Sequence, residues 1–505
     1  MVRAAQGGGE LTDTINRSSS APLDAAAEGG GRRVCFLLIV ALVLAGEVCR
    51  LGQYLSNQAM ASAETTLLDN LRHRAALTLP FVRLDDYPGA PEAAPAIFLW
   101  ETQWMARQFH DAEWAVRLLP LICAVAALPL FAWMAWEVVG PAAAVWAVAM
   151  FALSDPLIYY GSSAKQYSGD VLTALLILWP ACSVETRTWG RRLACTCAVG
   201  AVGLWFSYTA VFPLAAAAVV FALGARGQGW RGARRLWVFV FPGVSFLAVY
   251  FFSMRVQRTN SLDMQWIDLI PNYARPLSIP GWAVARTWEL FQFLFYPAGQ
   301  VMIVGFVAGV WQLLRKQRGR FVLLMAGPVA LDMIAGLARA YIYGGSRVTI
   351  FLAPGVILLI AVGAAALPEL LRGWGRILQA GLLAYVLVMA ACAGYLAIVP
   401  RNEGNLRDAL RFLDAHRQTG EQVWLVGRDS TGMWGWYRTR DVSNVHLQDD
   451  ARVPITAQRF WMVLAYNPRK FHKVEPALTQ PGRHVVESRS LHIDGADVVW
   501  FEPSP

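Results

Sequence analysis

The sequence predicts a polytopic α-helical membrane protein with about 11 to 13 transmembrane helices, followed by a small C-terminal α/β domain outside the membrane. Of its 505 residues, 56% are hydrophobic and only 16% are charged, whereas roughly 25% are charged in an ordinary soluble domain. Apolar runs of about 20 residues recur along the chain, and each is long enough to cross the hydrocarbon core as a helix. Longer polar stretches lie mainly at 56–113, at 254–297 and after Pro400.

The N-terminal segment 1–31 is rich in Gly, Ala and Ser and has no hydrophobic period, so we expect a disordered cytoplasmic tail. Arg32 and Arg33 then precede the first apolar stretch, 34–55. A signal peptide also has a basic front and an apolar middle. However, no small-residue cleavage site followed by a soluble domain is present, so an uncleaved first span is favoured.

Ten further spans are predicted from hydropathy and length. They lie at about 114–138, 140–158, 168–184, 193–206, 207–224, 234–253, 298–314, 321–338, 348–366 and 377–398. The stretch 193–224 fits either two short spans broken near Ser207 and Tyr208 or one long span. Only the two-span interpretation keeps every basic loop on one side of the membrane. Extra half-spans would raise the count toward 13 without changing the sidedness.

Alternate loops between the spans are short and rich in arginine, and the positive-inside rule assigns them to the cytoplasm. These loops lie at 187–192, 226–235, 315–320 and 371–376. By parity the N-terminus is cytoplasmic and the tail 401–505 is extracytoplasmic. Most of the net charge of +9 lies in such loops, so the predicted partners are membrane lipids and not nucleic acid. All seven cysteines lie in or beside apolar spans, which excludes a disulfide framework or a metal knuckle.

The segment 56–113 is too long and too polar for a simple connection. Its residues 61–75 predict a helix with Ser62 as N-cap and Glu64 in the first turn. A second helix is predicted after Pro95, and its density of tryptophans indicates that it lies along the membrane surface. The other long loop, 254–297, is expected to be an interfacial lid or an aromatic belt.

The tail 401–505 is predicted to form a small α/β domain. Leu406, Leu410 and Leu413 share one face of a helix, and short apolar stretches at 422–426, 460–465 and 498–501 indicate buried strands. The tail contains no nucleophile–base pair, no metal-ligand spacing and no phosphate-binding glycine loop. Docking of an acceptor or structural support is therefore its expected use.

Three segments, all on the predicted outer face, resemble one known family. The first contains Glu64, Asn70, Leu84-Asp85-Asp86-Tyr87, Ala93-Ala94-Pro95 with Phe98-Leu99, and the run from Glu113 to Pro120. The second contains Tyr159-Tyr160-Gly161 and Ala164-Lys165-Gln166-Tyr167-Ser168-Gly169-Asp170, and the third Ser346-Arg347 through Phe351-Leu352-Ala353-Pro354. In this order they resemble the bacterial family-39 group of GT-C glycosyltransferases, which includes protein O-mannosyltransferases and aminoarabinose transferases.

The resemblance implies a GT-C-like transmembrane domain over residues 32–400. It also implies transfer of a sugar from a polyprenyl-phosphate donor to a protein, lipid or glycan acceptor at the outer face of a bacterial inner membrane. An acceptor hydroxyl is a poor nucleophile and needs a carboxylate to take its proton. The departing phosphate needs fixed cations.

The resemblance assigns the catalytic base to Glu64, by alignment with an acidic pair in the family. The chain departs from that pair because its first position is Ala63, and Asp85 or Asp86 could supply the missing charge. Each carboxylate also has a structural alternative. Glu64 could simply stabilise a helix start, and Asp85 and Asp86 could simply favour the turn at Tyr87-Pro88-Gly89.

Lys165, Tyr167 and Arg347 are the expected donor-phosphate-binding residues, since they lie in the second and third matching segments. Lys165 and Arg347 could instead only anchor the membrane interface. Arg117 is expected to hold the entrance of the second span, and Asp170 to play a secondary role. Asp332, inside a span, is functional by default as an intramembrane charge, although pairing with Arg339 would account for it structurally.

Two other functions stay open at this point. A transporter or flippase of a lipid-linked glycan would also be polytopic, but no internal repeat is visible and the polar residues gather at one face. A non-catalytic assembly protein that retains the scaffold is the other alternative, because Ala63 replaces an acidic residue. No cofactor is predicted. A divalent cation held by carboxylates of the segment 56–113 stays open, although no dense ligand cluster demands one.

Overall fold

The computed structural model describes residues 21–84, 92–182, 189–226, 229–259, 266–437, 444–448, 459–466, 478 and 482–503. These residues form a bundle of apolar helices followed by a small domain with one β-sheet. The predicted fold class, a polytopic helical membrane protein with a C-terminal α/β domain, is therefore confirmed.

Seven helices of the described chain have the length and hydropathy of membrane spans. They are Gly30–Leu55, Leu118–Val139, Tyr208–Arg226, Gly229–Gln257, Gly319–Leu337, Arg347–Leu370 and Trp374–Ile398. Two more candidate spans are bent pairs, Pro141–Leu153 with Asp155–Ser162 at 59° and Pro276–Leu294 with Gly299–Arg315 at 103°. The helices Tyr167–Cys182 and Trp189–Phe206 complete the bundle. Within the described chain, every predicted span thus has a helical counterpart.

The boundaries refine the prediction at two places. The first helix extends over Ala21–Leu55, and residues 1–20 of the predicted tail lie outside the described residues. The stretch 193–224 is broken at Ser207, whose backbone is extended with φ −151° and ψ 116°. The Ser207 and Thr209 hydroxyls hydrogen-bond at 3.0 Å across this break. The structure therefore shows the two helices that the basic-loop pattern favoured.

Among these spans, Arg347–Leu370 is the most deeply buried, since 89% of its apolar 18-residue stretch lies inside the protein. Its helix Ala353–Leu370 crosses the helix Ile303–Arg315 at a contact made by glycines. A Cβ atom on Gly309 would lie 1.8 Å from the Leu359 carbonyl oxygen, and one on Gly363 would lie 1.9 Å from the Gly305 oxygen. Small residues let two helix backbones approach closely in a membrane, so these glycines set the centre of the bundle.

The helices outside the bundle belong to the segment 56–113 and to the C-terminal domain. They are Ser62–His73, Ala96–Gln108, Glu113–Val116, Leu406–His416 and Arg428–Tyr437. The first of them lies within the predicted helix 61–75, and the second follows Pro95 as predicted.

The sheet of the C-terminal domain contains β1 (Gln422–Val426), β2 (Val445–Gln448), β3 (Phe460–Ala465), β4 (Arg483–Val485), β5 (Leu491–Ile493) and β6 (Ala496–Pro503). Its order is β2-β1-β3-β6-β4, with β5 also paired to β6. β1 is parallel to β2 and β3, and β6 is antiparallel to β3, β4 and β5. β3 is buried along its whole length, as the apolar pattern predicts for a central strand.

The C-terminal domain is packed on the segment 56–113. The Tyr437 hydroxyl donates to Glu113 Oε1 at 3.0 Å and accepts a hydrogen bond from the Met60 backbone N–H at 2.7 Å. Arg407 Nη1 lies 2.8 Å from Glu113 Oε2. The Arg72 guanidinium stacks on the Trp436 ring, 3.7 Å from its centre. The domain therefore holds the segment that contains the predicted base.

Candidate active site

A cavity of about 250 Å³ lies where the N-terminal end of the helix Tyr167–Cys182 meets the segment 56–113 and the start of the span Arg347–Leu370. We call it the main cavity. Its walls include Glu92, Gln166, Tyr167, Asp170, Tyr208, Thr209, Tyr250, Met254, Arg255, Arg258, Trp266, Arg339, Tyr341 and Arg347. Three residues predicted from the sequence, Tyr167, Asp170 and Arg347, are thus brought together.

Arg347 is presented to the main cavity by a tight turn at the start of its span. The Ser346 hydroxyl accepts a hydrogen bond from the Val348 N–H at 3.3 Å and caps the 3-10 turn Arg347–Leu352. The guanidinium carbon of Arg347 lies 6.0 Å from the Tyr167 ring centre and 5.9 Å from that of Trp266. Its buried Nε has no hydrogen-bond partner among the described residues. A desolvated cation with a spare N–H suits a bound anion.

Lys165 does not line the main cavity, but it forms an ion pair with Glu92, which does. Its side chain is 3% exposed, and its Nζ lies 2.8 Å from Glu92 Oε2. Burial lowers the pKa of Lys165, and the charge of Glu92 offsets this only in part. Lys165 therefore holds Glu92 in place and balances the negative charge that Glu92 brings to the cavity wall.

Glu92 is also held by its own chain and by its neighbours. Its backbone N–H donates to the Leu84 carbonyl at 2.8 Å. Two residues on, the Ala94 N–H donates to Gln257 Oε1 at 2.9 Å, and the Ala94 carbonyl accepts from the Tyr208 hydroxyl at 2.9 Å. Asp85 and Asp86, two of the predicted catalytic residues, lie outside the described residues.

The predicted base Glu64 is placed away from the cavity wall. It is 2% exposed, and four donors occupy its two oxygens. Oε1 accepts from the Ala164 N–H at 2.5 Å and from Arg117 Nε at 3.4 Å, while Oε2 accepts from the Ala61 N–H at 2.9 Å and from Arg117 Nη2 at 3.2 Å. This geometry supports the structural alternative, a first-turn cap that also ties helix Ser62–His73 to the residue before Lys165.

The protonation of Glu64 follows from these contacts. Burial raises the pKa of its carboxyl, but the charge of Arg117 and the backbone N–H groups of Ala164 and Ala61 outweigh burial, so the pKa lies below its usual value. Arg117 also donates to the Gln58 carbonyl at 2.6 Å. It thus holds the entrance of the span Leu118–Val139, the role expected from the sequence.

Two carboxylates within the bundle are buried and have oxygens without a hydrogen-bond partner among the described residues. Asp170 is buried on the cavity wall in contact with the hydroxyls of Ser207 and Thr209, and its Oδ1 has no partner among the described residues. Asp332 is fully buried, and neither of its oxygens is bonded within the described chain. The expected pair with Arg339 is not formed there, because Arg339 lines the main cavity and lies over the Tyr273 ring at 4.8 Å.

Several residues of the main cavity were not predicted from the sequence. Arg255 lies at the end of the helical stretch Gly229–Gln257, and Arg258 directly follows it. Basic residues at such positions usually only anchor the membrane interface. Glu92 stands directly before the matched Ala93-Ala94-Pro95, so its position in that motif was the available signal. A π-helical turn at Tyr250–Met254 faces the cavity. Such turns often mark functional sites, but no sequence pattern predicts this one.

Among solved structures, the chain is similar to ArnT from Cupriavidus metallidurans bound to undecaprenyl phosphate. The TM-score is 0.48 at 13% identity, covering 92% of this chain and 97% of that one. It is also similar to the archaeal oligosaccharyltransferase AglB from Archaeoglobus fulgidus in complex with an inhibitory peptide and a dolichol-phosphate. There the TM-score is 0.43 at 11% identity, covering 79% of this chain and 63% of that one. Neither a protein-family model nor a curated protein sequence matches the chain.

If Glu64 is an anchor, then Glu64→Gln will lower the stability of the protein, because Arg117 loses its partner while it remains buried. We expect a loss of about 3–5 kcal/mol at pH 7. The pKa of Glu64 in the folded protein lies below its usual value, so its stabilising effect is fully present above the usual pKa of a glutamate and declines as the pH falls toward the lower folded pKa. The difference in stability between wild type and variant should therefore shrink over that acidic range.

Thermal unfolding in detergent at pH 7 and at pH 4 measures this effect. Glu369→Gln, which alters an exposed carboxylate, is the matched control and should leave the melting temperature unchanged. Equal stability of Glu64→Gln and wild type at pH 7 would refute the anchoring role.

Proposed function

We propose that the protein is a GT-C-like glycosyltransferase. In this proposal it transfers a sugar from a polyprenyl-phosphate donor to a protein, lipid or glycan acceptor at the outer face of a bacterial inner membrane. The observation that carries the proposal is the main cavity itself. It combines Arg347, whose buried Nε has no hydrogen-bond partner among the described residues, with the carboxylate of Glu92, and the largely exposed apolar helix Gly229–Gln257 forms part of its wall.

The cations of the main cavity suit the phosphate of such a donor. Arg347 is joined on the walls by Arg255, Arg258 and Arg339. When the glycosidic bond to phosphate breaks, the departing polyprenyl phosphate gains negative charge, and preorganised cations stabilise that charge most effectively in a desolvated site. Tyr167 lies beside Arg347 and completes the donor-phosphate-binding set expected from the sequence, with Lys165 behind it.

A carboxylate of the segment 56–113 would act as the base. Among the described carboxylates of that segment, Glu92 lies on the cavity wall, while Glu64 is enclosed by four donors away from it. We therefore assign proton removal from the acceptor hydroxyl to Glu92. Asp85 and Asp86, which lie outside the described residues, stay predicted catalytic carboxylates. A divalent cation is not needed for this assignment.

The lipid chain of the donor must remain in the bilayer while its phosphate is in the cavity. The span Gly229–Gln257 suits this arrangement, because only 17% of it is buried. Its Tyr250 and Met254 line the main cavity, while Phe251 and Phe252 are 51% and 63% exposed on its outer surface. A polyprenyl chain lying along this helix would contact apolar side chains over its length.

Two observations bear on the alternatives. The main cavity lies at one end of the helix Tyr167–Cys182, which favours chemistry at one membrane face over transport through the bundle. Ala63 and the enclosed Glu64 favour a non-catalytic scaffold over an enzyme that uses the family's acidic pair. If Glu92 is the base, the enzyme does not need the family's acidic pair. Measurements of turnover then distinguish an enzyme from a non-catalytic scaffold.

We expect Arg347→Gln to reduce release of polyprenyl phosphate by about 100-fold or more, since a desolvated charge that stabilises the leaving group is lost. The assay supplies purified protein with polyprenyl-phosphate mannose, glucose and arabinose in separate reactions, with membrane extracts as acceptor. Arg315→Gln, which alters an exposed arginine that does not line the cavity, should retain full activity. If the lipid-linked sugar changes sides in proteoliposomes without being consumed, the protein is a transporter.

We expect Glu92→Gln to lower turnover by about 10²–10⁴-fold, the usual contribution of a general base, with little change in donor binding. Binding of the donor is measured separately, by its effect on the melting temperature. Glu92→Asp should restore part of the rate, whereas a purely structural role for Glu92 would show as loss of donor binding and of folding in both variants. Full activity of Glu92→Gln would remove Glu92 from the mechanism.

A further inference from the structure

A second cavity, of about 290 Å³, lies at the opposite end of the helix Tyr167–Cys182. We call it the distal cavity. Tyr167 lines the main cavity and Cys182 lines the distal one, and a rise of 1.5 Å per residue separates them by roughly 22 Å along the helix. The distal cavity therefore belongs to the other membrane surface and takes no part in the proposed transfer.

Three arginines line the distal cavity, namely Arg192, Arg318 and Arg320, and none of its described lining residues is acidic. Each of these arginines donates hydrogen bonds to backbone carbonyls at helix ends. Arg192 Nε donates to the Pro180 oxygen at 3.1 Å, both Nη atoms of Arg318 to the Val138 oxygen at 3.2 Å, and Arg320 Nη2 to the Leu223 oxygen at 3.4 Å. These bonds orient the guanidinium groups without neutralising them.

Capping of a helix end would explain each of these arginines separately, but it does not explain why all three line the distal cavity. A guanidinium has five N–H donors, so each side chain retains donors beyond those used by the carbonyls. Three positive charges on the wall of one cavity repel one another, and a bound anion would relieve that repulsion.

The remaining wall is apolar. Trp189 packs against Phe221 with ring centres 5.8 Å apart, and the two line the cavity together with Leu324. The indole is close enough to Gly224 that a Cβ there would lie 3.1 Å from Trp189 Nε1. The cationic end of the cavity would contact the phosphate of a lipid headgroup, and the aromatic and aliphatic wall would contact the first part of its acyl chains. Basic pockets between transmembrane helices bind lipid headgroups in this way.

We propose that the distal cavity binds the phosphate of an anionic phospholipid from the leaflet at that end of the bundle. This inference stands independently of the glycosyltransferase proposal. The shared chemistry is a phosphate group, which could come from a lipid or from free phosphate. The Trp189, Phe221 and Leu324 wall favours the lipid.

The test uses the full-length protein, delipidated in detergent and titrated with phosphatidylglycerol, with retained lipid counted by native mass spectrometry. Arg192→Gln combined with Arg318→Gln should retain phosphatidylglycerol about tenfold less well than wild type. Arg315→Gln combined with Arg376→Gln removes the same charge from exposed sites outside the cavity and should bind as wild type does. Arg320→Gln, which alters an exposed side chain, should fold normally and bind about threefold less well.

Phosphatidylcholine and inorganic phosphate are the comparison ligands. Both should bind wild type at least tenfold more weakly than phosphatidylglycerol, and neither should respond to the cavity variants. Equal loss of phosphatidylglycerol in the charge-matched control, or no loss in Arg320→Gln and the double variant, would overturn the proposal. Displacement of the lipid by inorganic phosphate at equal concentration would also overturn it, since a free-phosphate site would then be present.

Discussion

The buried ion pair between Glu64 and Arg117 is the interaction on which the site depends. Their side chains are 3% and 6% exposed, so neither charge can turn to water if the other is lost, and loss of one partner of such a pair costs about 3–5 kcal/mol. The pair also binds the backbone at Ala61, Gln58 and Ala164. It therefore joins two parts of the segment 56–113 to the residue that precedes Lys165.

The junction made by Glu64 and Arg117 also positions residues that form the main cavity. Lys165 extends to Glu92, and the chain beyond Glu92 is tied to the span Gly229–Gln257 through Ala94 and Gln257. Buried polar bonds of this kind are strong because the surroundings have a low dielectric, and costly when they are incomplete. The C-terminal domain adds a further constraint through Tyr437. The apolar bundle supplies a rigid support, while polar bonds between distant segments shape the cavity.

The sequence predicted the spans well because bilayer thickness dictates their length, and basic loops located the break at Ser207. The matched segments predicted Tyr167 and Arg347 as phosphate-binding residues, and both line the main cavity with Asp170, for which a secondary role was expected. The sequence could not separate the two roles of Glu64, because a carboxylate in a first helical turn has the same pattern whether it caps or catalyses. Arg255 and Arg258 resembled interface anchors, and Arg339 was considered only as a partner of Asp332. Their convergence depends on how spans far apart in the chain pack, which no local pattern records.

In the proposed function, the main cavity holds the phosphate end of a lipid-linked donor. Photocrosslinking with a polyprenyl-phosphate analogue that carries its reactive group beside the phosphate, with adducts mapped by mass spectrometry, tests this placement. We expect adducts on main-cavity residues such as Tyr167, Tyr208 and Trp266, competed by unlabelled polyprenyl phosphate and lost in Arg347→Gln. Adducts confined to other surfaces, or unchanged by Arg347→Gln, would contradict it.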